Sequence, residues 1–275
     1  MGALQKTMQA LAGLILAAAL AAAVSTWAFP AENDLLYSAG PVRFGVTGAG
    51  AGLSLLTALA FAGGRIHVRR KDESGNERTG SFADGFGFGL LPGLAVWKCF
   101  EEHTVLGKGT RIPEGVVSLP WFTADGISRP CRLEAFLALL LFAALIVWLA
   151  LRSEPLRNGD VFGTAAAMWG ACRLVTDGFR AEQLPWMGEA RITGWLSAGL
   201  MLAALAVWTA RTFRKRKNTG YAFVCVPVFA ASVALAALVR NEIILADNPP
   251  ARLVLTVCGA LLALKAALCM GRVSR

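Results

Sequence analysis

The sequence predicts an all-α fold: a polytopic integral membrane helical protein with about eight transmembrane spans. Three observations predict it. Of the 275 residues, 56% are hydrophobic and only 16% charged, where soluble domains carry about 25% charge. The apolar residues gather into runs near the length that crosses a hydrocarbon core as a helix, about 20 residues. The basic residues concentrate in short segments between those runs. That placement accounts for the net charge of +9. Basic loops orient membrane proteins and touch anionic headgroups, so no nucleic-acid partner is expected.

Taken in order, residues 7–29 form the first run. It exceeds the apolar core of a signal peptide, about 7–15 residues, so a retained helix is expected. A polar link with Glu32 and Asp34 follows. The second run, 44–63, is crowded with glycine, and Gly48 and Gly52 form a GxxxG. That pattern lets helices approach closely in a bilayer. Two readings stay open for Gly48, plain helix packing or a smooth wall beside a lipid-shaped groove.

Residues 64–83 are a basic loop with Ser74-Gly75-Asn76 as its turn, and His67 there reads as a surface residue. The third run, 85–100, is short and broken by Pro92 and several glycines, so its freed backbone groups need protein or water around them. Lys98, Glu101, Glu102 and His103 close it. The connection 104–131 is long enough to suggest a functional loop. The fourth run, 133–151, opens with Glu134, and Asn158-Gly159 makes the turn into the fifth, 161–179. The sixth, 193–210, ends in the basic patch 211–217; the seventh is 221–239 and the eighth 253–270, where Lys265 can snorkel.

With the amino terminus inside, the clusters 65–78, 152–157, 211–217 and 272–275 all become cytoplasmic. Both termini are then cytoplasmic, and the ends of the third and fifth runs face the same outer compartment. Cysteines 99, 131, 172, 225, 258 and 269 show no CxxC and no His/Cys cluster. Neither a metal site nor a disulfide framework is expected, and nothing calls for a cofactor.

The most informative stretch is Trp169 to Arg180. Arg173, Asp177 and Arg180 are spaced i, i+4, i+7 and share one helix face. A charge at the bilayer centre costs roughly 2.5–3.5 kcal/mol on insertion scales, so such residues usually face a protein interior or a wet cavity. A structural Arg173–Asp177 pair fits the same spacing.

These residues also carry a resemblance. Gly159-Asp-Val-Phe162 followed by Trp169-Gly-x-x-Arg173-x-x-x-Asp177-x-x-Arg180 resembles the prolipoprotein diacylglyceryl transferase family, which reads G-x-x-F and then Y-G-x-x-R-F-x-x-E-F-x-R. Ile192-Thr-Gly-Trp-Leu-Ser197 resembles the start of that family's next helix. Ala83-Asp84, the run Leu91 to Phe100 and Gly107-Lys108 are similar to its second block, and Pro130 with Glu134 to a third. The likeness covers roughly residues 41–210. It divides the chain into an anchor and link (1–40), a transferase-like core (41–210) and a basic loop with two added helices (211–275). The family's signature arginine falls on Val96, and Gly45-Val46-Thr47 stands where its His or Tyr is expected.

The resemblance implies a multi-pass enzyme of the bacterial plasma membrane that serves lipoprotein biosynthesis. Its substrates would be phosphatidylglycerol and the lipobox cysteine of a prolipoprotein signal peptide. Arg173 would bind the phosphate, with Lys98 as a second cation and His103 as the base that takes the thiol proton. Glu101 and Glu102 are alternatives to His103. Asp177, Arg180, Glu134 and Gly48 would complete the substrate site. A non-catalytic relative that binds phospholipid or a membrane partner is the second expectation, argued from Val96 and Gly45. A solute transporter is the third; it would call for inverted repeats, and the two halves share no motif.

Overall fold

The computed structural model describes residues 35–39, 42–63, 70–71, 77–78, 82–101, 109, 123–124, 127–151, 157–176, 186–187, 190–215, 219–240 and 249–274. Among them the chain is an all-α membrane protein built on α1 (Val46–Gly63), α2 (Phe82–Glu101), α3 (Pro130–Ala150), α4 (Asp160–Thr176), α5 (Ile192–Lys215), α6 (Thr219–Arg240) and α7 (Pro249–Val273). Each expected run from the second to the eighth falls on one of these helices. The first run lies outside the described residues. By length and composition α3, α6 and α7 can each cross a membrane.

Four antiparallel ribbons punctuate the helices: β1 (Leu35–Ala39) with β2 (Val42–Gly45), β3 (Arg70–Lys71) with β4 (Glu77–Arg78), β5 (Thr123–Ala124) with β6 (Ile127–Ser128), and β7 (Trp186–Met187) with β8 (Ala190–Arg191). The sequence did not suggest them. Six of the eight strands have only two residues, too short for an alternating pattern, yet each ribbon pairs backbone groups where the chain reverses.

The chain divides into two compact units, Met1–Phe162 and Gly163–Arg275. In the first, α2 packs on both α1 and α3. The sequence suggested a short, broken third run, and the structure corrects this: α2 is helical from Phe82 to Glu101, straight through Pro92. Proline removes a backbone donor and disfavours the helix interior, but here packing outweighs it. Leu91, Gly93, Leu94 and Ala95 are buried around it. A Cβ on Gly93 would lie 2.5 Å from the Ser54 carbonyl oxygen of α1. Gly93 therefore permits a close contact of α2 with α1 at Ser54.

The second unit has one apolar core. Ala167, Ala171 and Leu174 of α4 meet Met201, Leu205 and Trp208 of α5, Cys225 and Phe229 of α6, and Ala263 and Met270 of α7. Trp208 is wedged between two glycines: a Cβ on Gly163 would lie 2.8 Å from the indole, and one on Gly271 3.1 Å from it. Small residues bring α6 and α7 equally close, with Gly259 against the Ser232 carbonyl. Outward, the helices display Phe136, Leu139 and Leu140 on α3, Phe223 and Val224 on α6, and Leu261 and Leu262 on α7. So much exposed apolar surface fits hydrocarbon as the solvent.

Candidate functional site

The start of α4 is built with care. Asn158-Gly159 makes the turn, and Gly159 has φ 83°, a left-handed backbone that glycine adopts at little cost. The Arg157 N–H donates to Asp160 Oδ2 (3.1 Å), and the Asp160 N–H donates back to the Arg157 carbonyl (3.1 Å). The next donor, the Val161 N–H, reaches across to Asp84 Oδ1 of α2 at 3.0 Å. The first amides of a helix have no internal acceptor, and a carboxylate there also meets the positive end of the helix dipole. Asp84 and Asp160 are both buried. A Cβ on Gly87 would lie 2.3 Å from Phe162 Cα, so only glycine allows this docking. Two motifs quoted separately from the sequence, Ala83-Asp84 and Gly159-Asp-Val-Phe162, are thus one structural joint.

The opposite end of α2 carries a second polar cluster, about 21 Å along the axis at 1.5 Å per residue. Lys98 Nζ lies 3.0 Å from Glu134 Oε2 on α3 and is ion-paired with Glu101 one turn on. It also stands 5.2 Å from the centre of the Trp97 ring, within range of a cation–π contact. Lys98 is 5% exposed, Glu101 4% and Glu134 0%. Charges this deeply placed persist only when paired, and here one ammonium serves two carboxylates. Trp97 Nε1 beside them is buried without a hydrogen-bond partner. Glu134 reaches Lys98 because Pro130 starts α3 and sets its second turn against the last turn of α2.

In the second unit, Arg173 lies in the last turn of α4 and is 7% exposed. Trp169 a turn earlier is 5% exposed and Thr176 0%. The guanidinium therefore belongs to the protein interior and not to the apolar outer face, as the cost of a charge in lipid requires. Gly48 sits in the first turn of α1. Asp177, Arg180, His103, Glu102 and Lys108 lie outside the described residues. The structure brings Lys98 and Glu134 together and adds Glu101, whose i, i+3 spacing from Lys98 was readable. The Asp84 bond to α4, made over 77 residues of sequence, had no local signal.

Residues 70–210 match the family model of prolipoprotein diacylglyceryl transferase. A phosphatidylglycerol–prolipoprotein diacylglyceryl transferase of Paenarthrobacter aurescens is 28% identical over 204 residues, 67% of this chain and 63% of that protein. Proteins of the same name from Lactococcus lactis subsp. cremoris and subsp. lactis are 28% identical over 102 residues, 37% of this chain and 35% of theirs. The chain thus spans less than two thirds of the length of these relatives. No solved structure matches.

Proposed function

The chain belongs to the prolipoprotein diacylglyceryl transferase family, and from that premise we propose that it transfers diacylglyceryl from phosphatidylglycerol to the lipobox cysteine thiol of a secreted precursor. It is a bacterial membrane protein. The basic clusters orient it with both termini in the cytoplasm and with the ends of α2 and α4 outside.

The observation that carries this reading is the burial of Arg173, in the motif that most closely follows the family. In the reaction the thiol sulfur attacks the glyceryl carbon that bears the phosphate, the carbon–oxygen bond breaks, and glycerol-1-phosphate leaves. The departing phosphate gains charge. A guanidinium already shielded from water stabilises it without reorganising at that moment, and its planar fork matches two phosphate oxygens. Asp177 would hold Arg173 in place, and Arg180 would add a second cation to the site.

The test is alkylation of a lipobox peptide by membranes that carry the protein. Arg173→Ala should slow it by about 10²–10³, the usual cost of losing one preorganised donor to a developing oxyanion. Arg173→Lys should recover only part, because an ammonium lacks the fork. The catalytic reading fails if the wild-type protein restores no lipidation in cells that lack their ordinary transferase. A second reading, a relative that binds phospholipid without turning it over, is favoured by one observation: Val96 stands at the signature arginine, and the nearby cation Lys98 already faces two carboxylates. Phosphatidylglycerol binding without release of glycerol phosphate would identify it.

A further inference from the structure

We infer that Cys225 of α6 and Cys269 of α7 form a reversible disulfide site: a small disulfide oxidant enters at Cys269, Cys225 resolves it, and the two helices become covalently tied. This stands apart from the transferase reading and does not depend on it.

Packing carries the inference. The antiparallel pair α6 and α7 meets closely at Gly259, where a Cβ would lie 2.9 Å from the Ser232 carbonyl oxygen and 3.1 Å from Ala236 Cβ. Counted from that contact at about 1.5 Å per residue, Cys225 stands about 10–17 Å back along α6 and Cys269 about 15 Å onward along α7. The two turns that bear sulfur are therefore level. Cys225 lies in the apolar core of this unit, and Cys269 is half-buried and packed against that core. Both are free cysteines, and their thiols are hydrogen-bonded to each other.

The surroundings decide what such a pair is suited to. A metal held by two thiolates would leave net charge among apolar side chains, which is costly, whereas a disulfide is neutral. Exposure assigns the order of attack. Cys269 can be met from outside the core, and Cys225 is shielded from it. Cys269, as thiolate, attacks one sulfur of the oxidant and expels the other; Cys225 then attacks the mixed disulfide and expels the rest. The oxidant's S–S bond and two protein S–H bonds break, and one protein S–S bond forms. Two electrons pass to the oxidant, and two protons leave on two small thiols. Gly271, two residues past Cys269, is where Trp208 rests, so the tie also holds α7 in that seat.

The experiment uses full-length protein in phosphatidylglycerol vesicles, treated with dithiodipyridine, an apolar disulfide that enters lipid. Trypsin digestion and mass spectrometry give the first readout. Wild type should yield the peptides 218–240 and 266–272, which contain Cys225 and Cys269, joined to each other and parted again by dithiothreitol. The proposal is overturned if each cysteine instead keeps its own thiopyridyl adduct, if Cys225 links elsewhere, or if neither reacts. Two variants test the order of attack. Cys225→Ala should trap the mixed disulfide on Cys269, and Cys269→Ala should leave Cys225 as a thiol over the same time. Equal reaction of Cys225 in the second variant overturns the assigned entry point. The second readout is thermal unfolding of wild type alone. Oxidation should raise Tm by about 5–10 °C, as a link that suits the native fold does, and dithiothreitol should reverse it. A lowered Tm would mean that the native hairpin does not accommodate the bond, and the site would fall.

Discussion

The two ends of α2 both bury acid, and they use it differently. At the first end Asp84 accepts the Val161 N–H of α4, and the carboxylate is committed to a backbone donor that has no other internal acceptor. At the far end Glu101 and Glu134 both face the Lys98 ammonium. The first arrangement has one stable state and fixes architecture. The second joins side chain to side chain, Lys98 and Glu101 on α2 with Glu134 on α3. A buried charge in a membrane helix is therefore not a sufficient sign of chemistry; what it is paired with decides.

Substitutions can break or sharpen that contrast. The largest effect is expected at Lys98. Lys98→Ala removes the ammonium paired with Glu101 and Glu134, and removing one partner of a buried ion pair costs about 3–5 kcal/mol. Urea unfolding in detergent should show it. At the other end Gly87→Ala forces a Cβ against the Phe162 backbone and should cost about 3 kcal/mol, the upper end for overpacking, read as a lowered Tm. Asp84→Ala leaves the Val161 N–H without its acceptor and should cost about 1–3 kcal/mol; Asp84→Asn, which keeps an acceptor oxygen, should lose less. The smallest effect is expected at Gly159→Ala, about 1 kcal/mol for a left-handed residue that gains a Cβ, measured by the same unfolding curve.

Much of the fold was legible before any coordinates. Apolar runs placed α1 to α7 because a helix in lipid must close its own hydrogen bonds, and the composition admits few alternatives. The interior position of Arg173 followed from the cost of charge in hydrocarbon. Pro92 misled because propensity describes an isolated helix, whereas α2 is held on two sides by α1 and α3. Three of the four ribbons were too short to leave a pattern. In the candidate site, the spacing of Lys98 and Glu101 was visible, but Glu134 joins them only once α3 packs on α2. Asp84 was quoted as part of a motif, and its partner lies on another helix. His103, Asp177 and Arg180 lie outside the described residues.

Trp208 shows why the last helix is no mere appendage. Its indole rests on Gly163 from one side and on Gly271 from the other, yet Gly271 lies beyond the stretch shared with the family. A chain trimmed at residue 210 would bare one flat aromatic surface and loosen the seat of the helix that bears Arg173. Any effort to obtain a shorter stable chain should therefore keep the C-terminal hairpin, or first replace this bulky ring with a smaller one.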